Sequence, residues 1–429
     1  MADNVIILGA GLAGLSAAYH LDADYEIYEK ESEVGGLCRS RRVNGFVFDY
    51  AVHTFYSQDE YAVALVIKLL ADNLSSQTRS SWIYSKGVLT PYPFQANTFG
   101  LPIEVVKECV LGVIEAKYSA DGQEYASNFE DWIYTTFGRG IAKHFMIPFN
   151  RKLWGIDLRE MSARWIRDRI PQPGLDEVLD GALHRQEHEF GPNAQFWYPK
   201  DGGMGALPRA FLPYVKNVHL NQEVTVIYPD VRRIVLANGC SRKYDALISS
   251  LPLPRLVDMM DSVPDSIRQA GHQLKYNTIY SVNIGVSSAN ISDMHWVYFP
   301  EPEYAFHRIS FPMNFSASMV PEGTSSITAE ISASACKEIA TDVLVRRVID
   351  DLILARILRR EDEILATDLI KLEPAYIIYD HLHEKNVSLI HEFLSEKDIY
   401  PCGRFGMWEY YNMDHAIVSG KAAVERLKA

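Results

Sequence analysis

Hydrophobic residues follow two alternating patterns along the chain, short apolar runs typical of strands and longer stretches with apolar residues three or four positions apart. The strand-like runs are residues 5–8, 25–29, 218–220, 224–228, 233–236, 244–252, 280–285 and 326–331. The helix-like stretches are residues 102–118, 128–137, 162–169 and 340–358, and residues 399–429 have the pattern of a strand, a turn and a helix. This mixture of periods predicts an α/β fold.

The order of these patterns predicts three domains, one of which is assembled from separated segments. Strand and helix patterns like those at the start of the chain occur again after residue 216 and near residue 396. We therefore expect a discontinuous Rossmann-like domain from residues 1–75, 216–255 and 396–429. Residues 76–215 are expected to form an inserted, mostly helical domain, and residues 256–395 a substrate domain with an antiparallel sheet.

The first apolar run leads into the most specific motif of the chain. Gly9, Gly11 and Gly14 follow it in the G-x-G-x-x-G spacing and open a helix rich in alanine and leucine. The first glycine permits the tight turn, the second lets a pyrophosphate approach the backbone, and the third lets the helix pack on the strand. Glu29 ends the next strand, where a carboxylate can accept hydrogen bonds from ribose hydroxyls. The arrangement predicts a bound dinucleotide.

Composition and charge restrict the partners. The chain has 429 residues, 48% of them hydrophobic, and a net charge of -13. A large core is therefore expected, and the absence of a basic face argues against a nucleic acid or an anionic membrane surface as partner. The five cysteines are scattered and are expected to be reduced, and no cluster suggests a metal. With no signal sequence and no apolar run of about 18 residues, we expect a cytoplasmic protein, which could form a homo-oligomer.

A second glycine pair indicates which dinucleotide is bound. Gly36 and Arg39 belong to the segment E-V-G-G-L-C-R-S at residues 33–40, which resembles the second glycine pair of FAD-binding oxidases and mutases. The segment D-x-x-I-x-S-x-P at residues 245–252 resembles the return of FAD-dependent amine oxidases to the cofactor domain. This resemblance implies FAD and places the Val224 backbone beside the adenine, although residues around Val224 could also form an ordinary hairpin.

Four further blocks resemble the UDP-galactopyranose mutases, particularly the eukaryotic type. They are P-Y-P-F-Q at 91–95, F-M-I-P-F-N-R-K-L-W at 145–154 with W-I-R-D-R at 165–169, G-P-N-A-Q-F at 191–196, and W-V-Y-F-P at 296–300 with F-H-R at 306–308. The resemblance implies a nucleotide-sugar substrate, UDP-galactose or a relative, with contacts from Tyr92, Gln95, Asn150, Trp154, Asn193, Trp296 and Tyr298. It also implies that Arg169 and Arg308 hold the diphosphate. The ordinary alternatives are loop packing for the proline-rich block at residues 91–95 and surface positions for the two arginines.

The block G-R-F-G-M-W-E-Y-Y-N-M-D-H at residues 403–415 looks like a blend of the two mutase branches. By resemblance, Arg404 would neutralise the FAD pyrophosphate, and Tyr410 and Asn412 would contact the substrate. The amides of Met413 and Asp414, at a helix start, would face the flavin and stabilise its reduced form, which the resemblance makes the active one. NADPH or NADH could serve as the reductant.

Two departures from the mutase pattern concern histidines. The family carries a glycine just before a histidine beside the flavin, whereas this chain has Ala51, Val52 and His53. His53 is a candidate for proton transfer or for holding the loop, with a core histidine as the alternative, and the missing glycine puts the redox-linked motion of the family loop in doubt. His383 stands where the family has a tyrosine that holds phosphate. A histidine can still donate to an oxyanion, so we expect His383 to contact the substrate, although the change could equally indicate a different sugar or a different leaving group.

The resemblance also implies a reaction. Reduced flavin would attack the anomeric carbon through N5 and displace UDP, and ring opening and closure of the N5-linked sugar would then convert pyranose to furanose. The first alternative is an FAD-dependent oxidoreductase of the amine oxidase, protoporphyrinogen oxidase or phytoene desaturase type, which would have an apolar pocket without arginines. The second alternative is a flavin-binding scaffold without catalysis.

Overall fold

The computed structural model describes residues 4–118, 126–166, 169–186, 194–334 and 340–429. Its strands are β1 (Asn4–Leu8), β2 (Asp24–Tyr28), β3 (Ser40–Val43), β4 (Phe46–Asp49), β5 (Leu74–Thr78), β6 (Ser81–Ser85), β7 (Val88–Pro91), β8 (Gln195–Pro199), β9 (Val218–His219), β10 (Val224–Tyr228), β11 (Arg233–Leu236), β12 (Ser241–Lys243), β13 (Ala246–Ser249), β14 (Lys275–Val286), β15 (Trp296–Tyr298), β16 (Arg308–Ser310), β17 (Ser325–Ser334), β18 (Ile364–Leu372), β19 (Ile377–Ile378) and β20 (Ile399–Pro401).

The α-helices surround and connect these strands. They are α1 (Leu12–His20), α2 (Glu60–Leu70), α3 (Ile103–Tyr118), α4 (Phe129–Ile141), α5 (Ile147–Trp154), α6 (Leu175–Leu183), α7 (Ala206–Arg209), α8 (Leu253–Met259), α9 (Asp265–Gln273), α10 (Pro312–Phe315), α11 (Thr341–Leu354), α12 (His383–Ser395), α13 (Gly403–Gly406) and α14 (Met413–Lys428). Within the described ranges, no helix has the length and apolar character needed to cross a membrane.

A parallel sheet forms the expected Rossmann-like unit. Its strand order is β20-β13-β1-β2-β9, so strands from three separated parts of the chain lie side by side. Its apolar side chains, such as Val5, Ile7 and Ile248, are fully buried and pack with residues of α1 and α14. The predicted α/β class is confirmed, with a parallel sheet on one side and a mostly antiparallel sheet on the other.

The second large sheet forms the wall opposite the Rossmann-like unit. Its order is β18-β14-β17-β16-β15-β6-β7, with β19 added beside β14. All of its pairs are antiparallel except that between β15 and β6. Strands β6 and β7 come from the region predicted as the helical insertion. Alternate residues of Ser81–Ser85 are buried, which is the period-2 pattern of a strand rather than a helical one.

The helical insertion contains α3, α4, α5 and α6, but the helix predicted at residues 162–169 is wrong for the residues described there. Residues 162–166 form turns and bends, and Arg169 lies in a short 3-10 turn in which its amide donates to Ile166 O. Ser162 N donates to Tyr379 O, and Met161 forms a bridge with Asp380, so the chain is tied to another segment just where the helix would begin. The apolar residues that suggested a helix, including Trp165, lie in these turns, and their side chains are buried.

Candidate active site

A cavity of about 2000 Å³ lies between the carboxyl ends of the parallel strands and the larger sheet. Most residues predicted for the cofactor and the substrate line it: Gly9, Gly11, Glu29, Gly36, Arg39, His53, Tyr92, Gln95, Asn150, Trp154, Arg169, Val224, Trp296, Tyr298, Arg308, Arg404, Tyr410, Asn412, Met413 and Asp414. Gly14 does not line the cavity, and Asn193 falls outside the described residues. Within the described ranges, no cluster of three or more His, Cys, Asp and Glu residues could hold a metal ion.

The glycine turn offers bare backbone to the cavity. Gly9 has φ of +91°, and a Cβ on Gly14 would lie 2.0 Å from Gly9 O, so helix and strand pack as closely as the motif predicts. Gly11 and Gly36 face each other at the cavity wall, and a Cβ on Gly11 would meet no atom nearer than the Gly36 Cα, at 3.9 Å. The free space in front of these two glycines fits the pyrophosphate of a dinucleotide, which needs close backbone approach.

The acidic residue at the end of β2 is held by the backbone. Glu29 is 8% exposed and accepts hydrogen bonds from Ala10 N at 2.8 Å and from Glu31 N at 3.0 Å. A carboxylate has about four acceptor positions, so Glu29 can still accept ribose hydroxyls. Arg39 is already paired, because it donates to Gly36 O and to Glu31 at 3.0 Å. These residues fit the adenosine diphosphate half of FAD.

The start of α14 carries both free amides and a charge. Asn412 is the N-cap residue but does not cap the helix with its side chain, so the Met413 amide lies at an uncapped helix start on the cavity wall. Burial alone would raise the pKa of Asp414, but hydrogen bonds from His415 and Ser57 hold that pKa below its ordinary value. The ionised carboxylate offsets part of the positive helix end that the sequence interpretation assigned to this site.

His53 is neutral in the structure and its tautomer is fixed. Burial, and to a smaller extent the charges of Arg404 and Arg308, lower the pKa of His53 to about 4. Nδ1 lies 3.1 Å from Ala51 O, and since a carbonyl can only accept, Nδ1 carries the proton and Nε2 has a lone pair. His53 can therefore accept a hydrogen bond or a proton through Nε2.

The lowered pKa of His53 predicts a pH dependence of stability. Between pH 6.5 and about 4 the unfolded chain binds a proton at residue 53 that the folded chain does not, so the contribution of neutral His53 is complete above pH 6.5 and is lost as pH falls towards 4. His53→Gln can keep a donor for Ala51 O and does not titrate. We expect the melting temperature of the wild type to fall more steeply than that of His53→Gln over this range, measured by differential scanning fluorimetry; parallel curves would contradict the assignment.

Arg308 lies on the cavity wall but is not a free charge. Its Nε donates to Glu330 Oε2 at 2.6 Å, and its Nη2 lies 2.5 Å from the same oxygen. Glu330 is 2% exposed. The diphosphate role predicted for Arg308 therefore needs correction in one respect: the guanidinium can bind an anion only while it remains paired with a buried carboxylate.

Two other arginines lack an acidic partner among the described residues. Arg169 donates to the carbonyl oxygens of Trp165 and Tyr410, and its guanidinium lies 5.3 Å from the Tyr410 ring centre. Arg404 lies 4.9 and 5.1 Å from the ring centres of Tyr410 and Tyr376, and its buried Nε and Nη2 have no hydrogen-bond partner in the described structure. Arg169 and Arg404 are therefore cations of the cavity wall that no carboxylate among the described residues neutralises.

Tyr376 is a site residue that the sequence interpretation missed. Its ring stacks on Tyr410 with centres 5.8 Å apart and planes 9° apart, and it lines the cavity. Burial raises the pKa of Tyr376, so it keeps its phenolic hydrogen and can donate to an oxyanion. The signal was present in the alternation of Ala375, Tyr376 and Ile377, a few residues before His383, which the resemblance singled out.

The substrate contact predicted for His383 is wrong. His383 does not line the cavity but lies behind its wall, where it is 7% exposed. Its Nε2 bonds to Trp408 O at 2.9 Å, and its ring lies 4.2 Å from that of Tyr379. Tyr379 in turn bonds to Glu409 and to the Tyr410 amide. The Tyr379 and His383 pair therefore supports the segment that carries Tyr410.

A π-helical turn presents α5 to the cavity. Ala142–Met146 forms this turn, and the Ile147 amide donates to the Ala142 carbonyl five residues earlier. The extra residue shifts the phase of the helix, which places Asn150 and Trp154 on the cavity wall. Asn150 donates to Met146 O at 2.8 Å and accepts from Trp154 Nε1 at 3.2 Å, so its amide group has one hydrogen and one lone pair left for a ligand.

Buried polar atoms without partners among the described residues mark the cavity as a polar binding site. Gln95 Oε1 is such an acceptor, while Gln95 Nε2 is committed to Pro171 O at 2.7 Å. The donors of this kind that line the cavity are the indole Nε1 atoms of Trp165, Trp296 and Trp408 together with two nitrogens of Arg404. A buried polar group without a partner costs free energy, which a polar ligand would recover.

Comparisons with known proteins place this geometry among flavoproteins. The family described as NAD(P)-binding Rossmann-like domain matches residues 7–69, and the family described as flavin containing amine oxidoreductase matches residues 126–427, more than half of the chain. The structure of reduced UDP-galactopyranose mutase is similar with a TM-score of 0.95 and 28% identity, covering 100% of this chain and 94% of that one. The resemblance to that mutase is thus confirmed.

Other relatives are oxidases. The coproporphyrinogen III oxidase of Staphylococcus aureus is 30% identical over 289 residues, which are 59% of this chain and 61% of that protein. The chain thus spans about three fifths of the length of the curated relatives it matches first. A putrescine oxidase with bound putrescine has a TM-score of 0.69 and 15% identity, covering 99% of each chain, and shows the shared fold alone.

Proposed function

Because the chain belongs to the flavin containing amine oxidoreductase family, we propose that it is an FAD-dependent nucleotide-sugar mutase. Its substrate would be a UDP-linked sugar, UDP-galactose or a relative, whose pyranose and furanose forms it interconverts. The observation that carries this proposal is the pair of unpaired cations, Arg169 and Arg404, set around the stacked phenols of Tyr376 and Tyr410. Guanidinium and phenol donors suit the oxygens of a diphosphate.

The base of the nucleotide is assigned to Gln95. Its amide is oriented by the bond from Nε2 to Pro171 O, so Oε1 is the atom left to accept from a ligand. A uracil base has an N–H donor at ring position N3 that could bind Gln95 Oε1, whereas cytosine has an acceptor at N3. The ring of Tyr92, 5.7 Å from that of Tyr298, adds an aromatic wall to the cavity. These contacts support a uridine nucleotide over a cytidine nucleotide.

The chain's own residues bind and orient the reactants. Gly11 and Gly36 would hold the FAD pyrophosphate and Glu29 its ribose, while α14 begins on the same cavity wall. When bound and reduced, the flavin supplies a nucleophilic nitrogen for the anomeric carbon. Arg404, expected from the resemblance to face the FAD pyrophosphate, is reassigned here to the substrate because its guanidinium lies against the rings of Tyr410 and Tyr376. Together with Arg169 it would stabilise the departing diphosphate. His53, neutral and with Nε2 free to accept, can take the proton of the sugar hydroxyl that attacks when a ring closes, and in the reverse direction its protonated form can deliver a proton to the ring oxygen when a ring opens.

The proposal predicts turnover that needs reduced flavin but does not consume it. We expect the dithionite-reduced protein to convert UDP-galactopyranose to UDP-galactofuranose, detected by anion-exchange chromatography, and the oxidised protein to be inactive. The reaction is redox-neutral, so product should exceed the added reductant many times over. If no furanose forms although the reduced flavin is intact and UDP binds, the mutase assignment fails.

An oxidase is the second candidate, because the coproporphyrinogen III oxidases are sequence relatives. Porphyrinogen carboxylates would also be attracted by the two arginines, so charge alone does not separate the candidates. Oxygen consumption separates them: an oxidase consumes oxygen in proportion to product when given coproporphyrinogen III, whereas with the proposed mutase the oxygen consumed by the reduced flavin and the reductant does not rise with the amount of UDP-galactose converted. An oxygen electrode and the same protein preparation are sufficient.

A further inference from the structure

The peptide unit between Ala51 and Val52 is held from two sides. Val52 N donates to Glu330 Oε1 at 3.2 Å, and Ala51 O accepts from His53 Nδ1 at 3.1 Å. The carbonyl and the N–H of a trans peptide point in opposite directions, so these two bonds fix the orientation of one rigid plane. Turning that peptide, or moving the His53 ring, breaks at least one of them.

The same Glu330 carboxylate holds Arg308 with its other oxygen. Residues 308 and 330 lie directly opposite each other on β16 and β17, and Glu330 Oε2 receives both Nε and Nη2 of Arg308. Arg308 Nη1 has no partner within the described ranges, and the side chain lines the cavity. One edge of the guanidinium is therefore paired, and the other edge remains for an anion.

The neighbours of Glu330 leave it little freedom. It is 2% exposed in the middle of the larger sheet, and His307 Nε2 lies 3.6 Å from Oε2. Burial lowers the pKa of His307 well below its ordinary value, so His307 is neutral and does not compete with Arg308 as a cation. A displacement of Arg308 is passed to Glu330, and because its two oxygens belong to one rigid group, to the Val52 amide.

We propose that Glu330 is a positioning residue that couples anion binding at Arg308 to the orientation of the Ala51–Val52 peptide and of His53. The proposal rests on the proposed function for the identity of the anion, a nucleoside diphosphate. The loop has alanine and valine where a glycine would let the peptide rotate freely. A residue outside the loop, Glu330, can therefore control the orientation of this peptide. Binding of the diphosphate draws Arg308 towards the cavity, and Glu330 transmits that movement to the loop.

The test compares Glu330→Gln with Glu301→Gln in the flavin-loaded protein. An amide offers one acceptor oxygen in place of two, so Glu330→Gln cannot serve both Arg308 and Val52. Glu301 is a matched control because it is also buried, accepts from the Lys86 amide and is paired with Lys86 at 3.4 Å, but does not line the cavity. Glu330→Asp, which keeps the charge but shortens the side chain by one methylene, serves as a second variant.

Two readouts separate coupling from a purely structural role. Hydrogen exchange of the 50–55 segment should be about tenfold faster in Glu330→Gln, as expected for one lost hydrogen bond, and unchanged in Glu301→Gln. Saturating UDP should change the flavin absorption spectrum of the wild type and of Glu301→Gln but not of Glu330→Gln, with Glu330→Asp in between. UDP affinity, measured by isothermal titration, should fall less than about tenfold in Glu330→Gln because Arg169 and Arg404 remain.

The outcomes distinguish this proposal from the proposed function. If the wild type binds UDP but its spectrum responds equally in Glu330→Gln, the coupling is overturned and the mutase assignment stands. If exchange of the 50–55 segment is the same in Glu330→Gln and the wild type, Glu330 does not hold the peptide and the coupling is likewise overturned. Failure of the wild type to bind UDP at all would overturn the proposed function, and the coupling with it.

Discussion

Arg404→Ala is expected to weaken the binding of UDP roughly ten- to hundredfold, and Arg169→Ala by a similar factor. Each guanidinium lies among aromatic rings with no carboxylate partner among the described residues, so each can give its full charge to a phosphate. Losing a hydrogen bond to a charged group costs about 1.5–3 kcal/mol. Isothermal titration of UDP into the oxidised, flavin-loaded proteins measures the effect directly, and both variants should retain flavin.

Two further variants make the arginine result specific. Arg164→Ala is a surface control, because Arg164 is 85% exposed in an ion pair with Glu384 and lies outside the cavity. It should leave UDP affinity unchanged. Arg308→Ala should lower the melting temperature as well as affinity, because it leaves buried Glu330 without its partner. Unchanged affinity in both Arg169→Ala and Arg404→Ala would remove the main physical support for a phosphate-binding pocket.

Gly11→Ala is expected to give a folded protein that has lost most of its FAD. The added Cβ meets no protein atom closer than 3.9 Å and φ of Gly11 is -73°, so the fold can accept alanine. The methyl group occupies the space through which a pyrophosphate would approach the backbone. We expect at least roughly a tenfold loss of FAD affinity, since a displaced charge-assisted hydrogen bond alone costs that much. Fluorescence titration of the apoprotein with FAD measures it.

The matched control for this variant is Gly174→Ala. Gly174 is also a helix N-cap with negative φ and space for a Cβ, but it starts α6 and does not line the cavity. Both substitutions remove an N-cap glycine, so both should lower stability to a similar small extent. Only Gly11→Ala should lose FAD, and equal FAD affinity in the two variants would show that the turn does not face the cofactor.

Local patterns in the sequence predicted the Rossmann-like elements well. The strands at 224–228 and 233–236 agree residue for residue with β10 and β11. The helix at 162–169 failed because long-range hydrogen bonds to Tyr379, more than 200 residues away, decide the local conformation. Strand β6 was missed although its alternating burial and its hairpin with β7 are local, whereas its pairing with β15 joins residues far apart in the chain. Periodicity reports which side of a segment is buried, and it does not report what the segment pairs with.

The predictions for the candidate site were limited in the same way. Motif order gathered Tyr92, Arg169 and Tyr410 into one cavity, because these residues stand in extended blocks with several fixed neighbours. The sequence motifs did not predict which side chains pair with one another. Arg308 and Arg404 look alike in the sequence, yet Glu330 on the neighbouring strand neutralises Arg308, whereas Arg404 has no acidic partner in the described part of the chain. Charge pairing across a sheet depends on strand register, which no single motif specifies.

The interleaved order of the parallel sheet has a consequence for how the protein is made. During synthesis from the amino end, β1 emerges early, but β13 follows more than 200 residues later and β20 more than 390 residues later. Helix α14, which packs on α1, emerges later still. The nascent sheet must therefore wait on the ribosome with an unpaired edge while the inserted helices fold beside it. Such long-range pairing makes the incomplete chain a natural client for chaperones.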